Sequence, residues 1–426
     1  MNGFLSGLGF KYPAILGVGL FLSYLALKRR PSIHGWLAAL FCLYLPASSK
    51  FPFAFAFGLN LLNLFYFLLL LAGWGRERVS GKDPVRTTAV IWVGICLLSF
   101  IIGSFTGTAY ALSDRINLLK RWLDPVIVYA LMRQLSTDSD RRAAIDGIVI
   151  GTILFSVHLS LQGLDLGHKE RVGGLMDQAN DAGAFVAGYA PVLVAVLAST
   201  TSAAKRLLLI GGLAVCAFAE FQTVSRSGFI GLGIGLFVAS VFSRSWFTRA
   251  LMFGLLVVGI VSPSLLPEKV VSRFAGHDIQ GSQESDEAAV SMAGRYEIWN
   301  AGLAMGLSNP LGVGLGEFSN RIGRYGGPEQ RDAHNLYLLV WTEMGIAGAV
   351  VLVALMVQLL LRGLAGCSVN DPISRLAGIG LTGAVCALVV TNLFSVSLRD
   401  VAVFGYAMIL AAVIRRDASP DASTST

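Results

Sequence analysis

Four polar segments carry residue types that could bind an anionic group and activate a hydroxyl. They are "RVGGLMDQAND" with Arg171, "TVSRSGF" with Arg226, "GRYEIW" with Arg295, and "RDAHN" with His334. Guanidinium groups bind phosphate oxygens in a fork and stay charged at any working pH. A neutral imidazole can take a proton from a hydroxyl, and its ordinary pKa near 6.5 suits that role. If the segments meet, they fit recognition of a diphosphate next to a general base.

Each segment also has a simpler explanation when it is taken alone. Arg226 could extend its charge to the membrane surface while its stem stays in lipid. Arg171 and Arg295 could be solvated loop residues, and His334 could stand at a helix start with Asp332 as the N-cap. The functional interpretation therefore depends on the four segments meeting on one face of the molecule.

A glycine-rich segment, "NPLGVGLGEF", lies between Arg295 and His334. Asn309-Pro310 stops the preceding helix, and the alternating glycines at 312, 314 and 316 permit tight turns or a close backbone approach. The spacing is not that of a nucleotide phosphate loop. The three glycines alone fit a flexible linker better than a binding loop. Glu343, in the apolar run after His334, is expected to pack between helices and to face away from His334.

Composition places these segments in a membrane protein. The chain has 426 residues, of which 54% are hydrophobic and 14% charged, whereas soluble proteins carry about a quarter charged residues. Apolar runs of near-spanning length recur from end to end, which predicts an all-α, polytopic integral membrane protein with about 12 transmembrane helices. Thirteen candidate spans cover residues 13–27, 33–49, 52–74, 87–110, 120–135, 143–163, 182–200, 206–223, 227–243, 248–263, 336–361, 376–396 and 401–415, with 33–49 and 120–135 the weakest.

Basic residues fall at alternate span ends, and these ends are predicted to be cytoplasmic by the positive-inside rule. They are Lys28, Arg29, Arg30, Arg76, Arg78, Lys82, Arg86, Arg133, Arg141, Arg142, Lys205, Arg206, Arg244, Arg249, Arg362, Arg375, Arg415 and Arg416. The organisation expected from this pattern has transmembrane helices over 1–263 and 336–416, a large periplasmic loop with short helices over 264–335, and a disordered cytoplasmic tail over 417–426.

The net charge of +7 is explained by these cytoplasmic ends, so no nucleic-acid partner is expected. The five cysteines are scattered, without a CxxC pair or a Cys/His cluster. They support neither a zinc site nor a disulfide framework.

The order of the motifs resembles that of the O-antigen ligase and polymerase superfamily of bacterial membrane glycosyltransferases. The resemblance rests mainly on "GRYEIWNAGLAMGLSNPLGVGLGEF" and "AHNLYLLVWTEMGIAG", over about residues 295–348, with weaker matches at "SRSG" and at the segment of Arg171. Ala179-Asn180 stands where family members often have Pro-Asn.

The resemblance implies transfer of a glycan from undecaprenyl diphosphate to an acceptor hydroxyl at the periplasmic face of the bacterial inner membrane. The implied reaction inverts the anomeric carbon and uses no metal or other cofactor. Arg226 and Arg295 match the arginines assigned to the donor diphosphate, and His334 matches the family's essential histidine. Arg171, Asn180, Asn335, Tyr337 and Gly314 are the further candidates for substrate binding.

Several functions stay open within and beyond this family. The acceptor could be a lipid A–core sugar, a growing glycan in a polymerase, or a protein side chain. A polysaccharide transporter or flippase is the main alternative of another class, although transporters place ionisable residues near the middle of the bilayer. A scaffold protein would not need arginines gathered near a histidine.

Overall fold

The computed structural model describes residues 30–51, 53, 60–75, 83–105, 111–165, 171–176, 178–250 and 285–415, without the side chains of 285–293. Across these residues the regular structure is helical, which confirms the all-α prediction. The helices are α1 Ile33–Tyr44, α2 Leu61–Gly73, α3 Pro84–Phe105, α4 Leu112–Met132, α5 Asp138–Asp165, α6 Ala179–Ser199, α7 Ala203–Thr223, α8 Arg226–Phe242, α9 Ser285–Ser308, α10 Phe318–Arg321, α11 Leu336–Ser368, α12 Pro372–Thr391 and α13 Val401–Val413. Short 3-10 turns occupy Leu45–Ala47, Ile322–Tyr325 and Ser397–Arg399.

Five of these helices are long and apolar enough to cross a membrane, namely α3, α5, α6, α11 and α12. Shorter apolar helices occupy the regions of α1, α2, α8 and α13. The weak candidate span 120–135 overlaps α4, which begins at Leu112, contains Pro125 and ends at Met132. The candidate span 13–27, most of 248–263 and the tail 417–426 lie outside the described residues.

The centre of the bundle is built from α6, α12 and α13. Helix α6 packs against α7, α8 and α12, and 89% of its most apolar stretch is buried. Small residues permit this close packing: Gly188 lies against Leu388 of α12. By contrast, α3 lies at the edge, with 28% of its apolar stretch buried and large apolar side chains such as Val90 and Leu98 exposed. A helix with this surface suits contact with lipid.

One end of the bundle is closed by ion pairs. Arg141 lies buried there, with its Nη2 2.5 Å from Asp371 Oδ2 and its Nη1 2.9 Å from Asp138 Oδ1. Asp83 accepts from Arg362 Nη1 at 3.2 Å and lies 3.4 Å from Arg133 Nε. The contacts bring helix ends from distant parts of the chain together, as the alternating pattern of basic residues predicts. We refer to this end as the basic end.

Residues 264–284 of the predicted loop 264–335 lie outside the described residues, and the remainder contains α9, a helix of 24 residues. It packs against α11, and Trp299 Nε1 donates to the carbonyl of Ala333 at 3.1 Å. Short elements follow over Phe318–Arg321 and Ile322–Tyr325. This segment therefore packs onto the bundle next to His334.

Candidate functional site

A polar cavity of about 310 Å³ opens at the end of the bundle opposite the basic end. Five separate parts of the chain line it: the segment after α1 with the start of α2, the first half of α4, the start of α6, the segment before α11, and the segment between α12 and α13. The lining residues are Ser48, Ser49, Asn60, Leu62, Asn117, Lys120, Arg121, Asp124, Gln178, Asn180, Asp181, Asp332, His334, Ser395, Val396, Arg399, Asp400 and Val401. A cavity of this size with convergent polar groups is a candidate site for a small ligand or for part of a larger one.

His334 reaches this cavity from a strained backbone. Its φ is 47°, in the left-handed region that residues other than glycine seldom adopt. Its neighbours hold it there: Ala333 accepts from Trp299, and the Asn335 side chain accepts from Leu338 N at 3.0 Å as the N-cap of α11. Leu336 N also donates to the carbonyl of Asn392 at 3.0 Å. Strain fixed by surrounding contacts is common at functional positions.

The alternative explanation of His334 as a helix-start residue with Asp332 as the N-cap is wrong. Asp332 instead accepts from Arg399 Nη2 at 2.7 Å, and its other oxygen accepts from Ala333 N at 2.9 Å. The N-cap is Asn335, one residue after the histidine. His334 is therefore outside the helix, with its side chain left for the cavity.

The surroundings of His334 lower its pKa below the ordinary value. Burial is the largest cause, and the positive charge of Arg295 comes next. Asp332 acts in the opposite direction, while Arg331 and Arg171 lower the pKa further. The imidazole is therefore neutral at pH 7, the form that can accept a proton.

Arg171 and Asn180 form a direct pair. Arg171 Nη2 donates to Asn180 Oδ1 at 2.7 Å, and its Nε donates to the carbonyl of Thr223 at 3.3 Å. The backbone is joined at the same place, because Val172 N donates to the carbonyl of Gln222. Arg171 therefore links the start of α6, on the cavity wall, to the end of α7.

Arg226 follows directly after this junction. It is the exposed first residue of α8, whose N-cap Ser225 accepts from Gly228 N at 3.3 Å. A guanidinium at a helix N-terminus adds its charge to the partial positive charge of the backbone N–H groups, an arrangement that attracts phosphate. Arg226 is not among the described residues that line the cavity.

The structure therefore brings some of the predicted site residues together and leaves others apart. His334 and Asn180 line one cavity, and the charges of Arg171 and Arg295 act on His334. Arg226 lies three residues after Thr223, whose carbonyl accepts from Arg171, and it is not among the residues that line the cavity. The assignment of all these residues to substrate stays a prediction.

Three other predicted residues make contacts that stabilise the fold. Asn335 caps α11. The hydroxyl of Tyr337 donates to the carbonyl of Val389 in α12 at 3.1 Å. Gly314 lies against the backbone of Gly103 in α3, where a Cβ would overlap its atoms. These three residues could therefore help to position the site through the fold, without touching the substrate.

The glycine segment is inserted into the bundle, which corrects the expectation of a flexible linker. Helix α11 breaks at Gly345, with φ 72° and ψ −175°, and the segment fills the break. Val313 N donates to the carbonyl of Thr342 at 2.9 Å, and Gly314 N donates to that of Glu343 at 3.0 Å. Gly312, Gly314 and Gly316 all have positive φ, so the insertion depends on residues without a Cβ.

The side chain of Glu343 also holds the inserted segment in place. Its Oε1 accepts from Phe318 N at 3.2 Å, which agrees with the prediction that this carboxylate packs internally. Glu317, at the end of the segment, is buried and pairs with Arg115 of α4 at 3.2 Å. The segment thus joins α3, α4 and α11 just below the cavity.

Three basic cavity residues were missed by reasoning from sequence, namely Lys120, Arg121 and Arg399. Lys120 and Arg121 were explained as the start of a weak span, although charged residues inside a predicted span indicate a functional site. Arg399 lies in the segment between α12 and α13, which matched no motif. Its pairing with Asp332 depends on contacts between segments 67 residues apart.

The fold and this cavity define a helical membrane protein with a polar cavity lined by Lys120, Arg121 and Arg399 at one end. Residues 211–353 match the family model described as O-Antigen ligase. This match confirms the resemblance seen in the motifs and supports membership of the O-antigen ligase superfamily. It covers Arg226, Arg295 and His334. A comparison with curated proteins gives no match.

Proposed function

We propose that the protein transfers a glycan from undecaprenyl diphosphate to an acceptor hydroxyl at the periplasmic face of the inner membrane. The preferred acceptor is a lipid A–core sugar, as in an O-antigen ligase. The reaction inverts the anomeric carbon and draws the positive charge it needs from arginines rather than from a metal. The family match supports the general activity, and the cavity of His334 supports the location of the site.

The observation that carries the proposal is that His334 lines a polar cavity while the positive charges of Arg171 and Arg295 act on its imidazole. The cavity, with its hydroxyl, amide and charged side chains, suits a sugar. Arg171 and Arg295 supply positive charge that acts on the imidazole, and Arg226 is the first residue of α8, three residues after the Thr223 carbonyl that Arg171 contacts. A diphosphate on the arginine side and an acceptor in the cavity would place the anomeric carbon between them.

The residues then have separate roles. Burial and neighbouring arginines keep His334 neutral, so an unprotonated ring nitrogen takes the proton from the acceptor hydroxyl. The acceptor oxygen forms a bond to the anomeric carbon as the bond from that carbon to the phosphate oxygen breaks. The departing undecaprenyl diphosphate keeps the electron pair, and the arginines stabilise its charge. Attack opposite the leaving group inverts the configuration.

One observation favours the transporter alternative: α11 is broken at Gly345, and broken helices are typical of transporters. In transporters the freed backbone groups coordinate the cargo. Here Ile346 N donates to the carbonyl of Pro310 at 3.1 Å, and the carbonyls of Thr342 and Glu343 accept from the inserted segment. The break is thus filled by the protein's own backbone, which favours a positioning role.

The test is a transfer assay with the purified protein and a lipid-linked glycan. Lipid A–core, a second lipid-linked glycan and an acceptor protein are supplied in turn, and glycosylated product and free undecaprenyl diphosphate are measured. We expect both products with lipid A–core. Product with another acceptor would change the subclass, while glycan uptake into vesicles without release of undecaprenyl diphosphate would favour transport and contradict the proposal.

A further inference from the structure

A second cavity, of about 300 Å³, lies between α3 and α4 near the basic end. Its lining residues are Arg86, Ala89, Val90, Val126, Tyr129, Ala130, Arg133 and Gln134. It is separate from the cavity of His334, since the two share no lining residue. We call it the α3–α4 groove.

The groove changes from charged to apolar along the helix axes. Arg86 is in the first turn of α3, and Arg133 follows the last residue of α4. Ala89 and Val90 lie one turn further along α3, while Ala130 and Val126 lie one and two turns back along α4. Helix α3 begins at this end of the bundle and α4 ends there. The basic groups therefore form a rim, and the apolar side chains form a wall below it.

Arg133 is held at the rim by a buried network. Its Nε lies 3.4 Å from Asp83 Oδ2, which also accepts from the Tyr129 hydroxyl at 2.6 Å, while Arg362 Nη1 pairs with the other oxygen at 3.2 Å. Burial raises the pKa of Asp83, but the Tyr129 hydrogen bond and the two guanidinium groups outweigh it and lower the pKa. Asp83 thus holds Arg362 and Arg133 in place, while Arg86 adds an exposed positive charge to the rim of the groove.

We propose that the α3–α4 groove binds one anionic phospholipid. Its phosphate lies between Arg86 and Arg133, and an acyl chain runs over Val90 and Val126. A basic rim above apolar side chains matches the order of groups along a phospholipid, and basic pockets between helices at the cytoplasmic surface bind such headgroups. Val90 is 63% exposed on the edge helix α3, so the acyl chain continues into the surrounding bilayer. Free phosphate would leave this wall unused.

Native mass spectrometry of the full-length protein in detergent tests the proposal. Phosphatidylglycerol or phosphatidylcholine is titrated into the wild type and into Arg86→Gln. Arg249→Gln is the matched control, because it removes an exposed charge near the same end but outside the groove. We expect wild type and control to retain phosphatidylglycerol over phosphatidylcholine, and Arg86→Gln to bind phosphatidylglycerol roughly five- to tenfold more weakly.

Two further arms separate the alternatives. Val90→Trp fills the apolar wall without removing charge, and it should also weaken phosphatidylglycerol binding. Inorganic phosphate at millimolar concentration should not displace the lipid if the acyl chain contributes. Equal retention of both lipids, an unchanged Arg86→Gln, an equal loss in Arg249→Gln, or displacement by inorganic phosphate would each overturn the proposal. The readout is independent of glycan transfer.

Discussion

The two ends of the bundle use charged residues in opposite ways. At the basic end, Arg141 is 1% exposed and is bonded to Asp138, Asp371, Ser374 and the carbonyl of Val413. At the other end, Lys120, Arg121 and Arg399 line an open cavity with His334. The first arrangement joins helix ends, while the second leaves charge facing a space that a substrate could enter. Charge alone does not identify a functional site, whereas charge that lines a cavity makes that cavity a candidate.

The comparison is sharpest at His334. We expect His334→Asn to reduce glycan transfer about 10²- to 10⁴-fold, the usual contribution of a general base. Asparagine tolerates the left-handed backbone that His334 adopts, so the variant keeps the local fold while it removes the imidazole. The measurement is initial transfer rate at pH 7, with thermal unfolding in detergent as the control for folding. Activity within threefold of wild type would remove the imidazole from the mechanism.

The opposite result is expected at the basic end. Arg141→Met should destabilise the protein by about 1.5–3 kcal/mol, because Asp371 loses its charged partner and keeps only its hydrogen bonds from Ile373 and Ser374. The pKa of Asp371 is raised by burial but lowered more by Ser374 and Arg141, to about 2, so the carboxylate stays charged at neutral pH. Thermal unfolding in detergent measures the loss. A variant that is as stable as wild type but inactive would reverse the roles assigned to the two ends.

A variant in the inserted glycine segment tests whether the segment positions the site without taking part in the chemistry. Gly314→Ala should cost about 1–3 kcal/mol in strain at φ 102°, with a further cost from the overlap with Gly103. Gly326→Ala is the matched control, because Gly326 also has positive φ but open space around its Cβ position. We expect the Gly314 variant to lose more stability and more transfer activity than the control, as measured by thermal unfolding and transfer rate. Equal effects would mean that backbone strain alone matters.

A smaller effect is expected on the pH profile. Since the pKa of His334 is lowered, transfer should persist as the pH falls through 6.5 and decline only below it, when the imidazole becomes protonated. Arg331 is exposed and contributes to this lowering. Arg331→Gln should therefore move the acidic limb of the rate profile to higher pH without a large change in the rate at pH 8. An acidic limb that does not move would mean that another group titrates.

The sequence predicted the helical class, and five of its candidate spans coincide with helices long and apolar enough to cross a membrane, because hydropathy and length decide both. It also selected His334 and Asn180, which line the cavity, and Arg171 and Arg295, whose charges act on His334. It did not find Lys120 and Arg121, whose functional meaning depends on which face of α4 meets the cavity. The break at Gly345 was also missed, because the inserted segment compensates for the lost helix bonds only through tertiary contacts.

The most direct test of the account is the location of the lipid-linked donor. A photoreactive undecaprenyl diphosphate glycan would be cross-linked to the wild type and the labelled peptides mapped by mass spectrometry, with excess unlabelled donor as competitor. The account predicts competed labelling in peptides that contain Arg171, Arg226, Arg295 or His334. Competed labelling confined to the basic end, with none in those peptides, would contradict it.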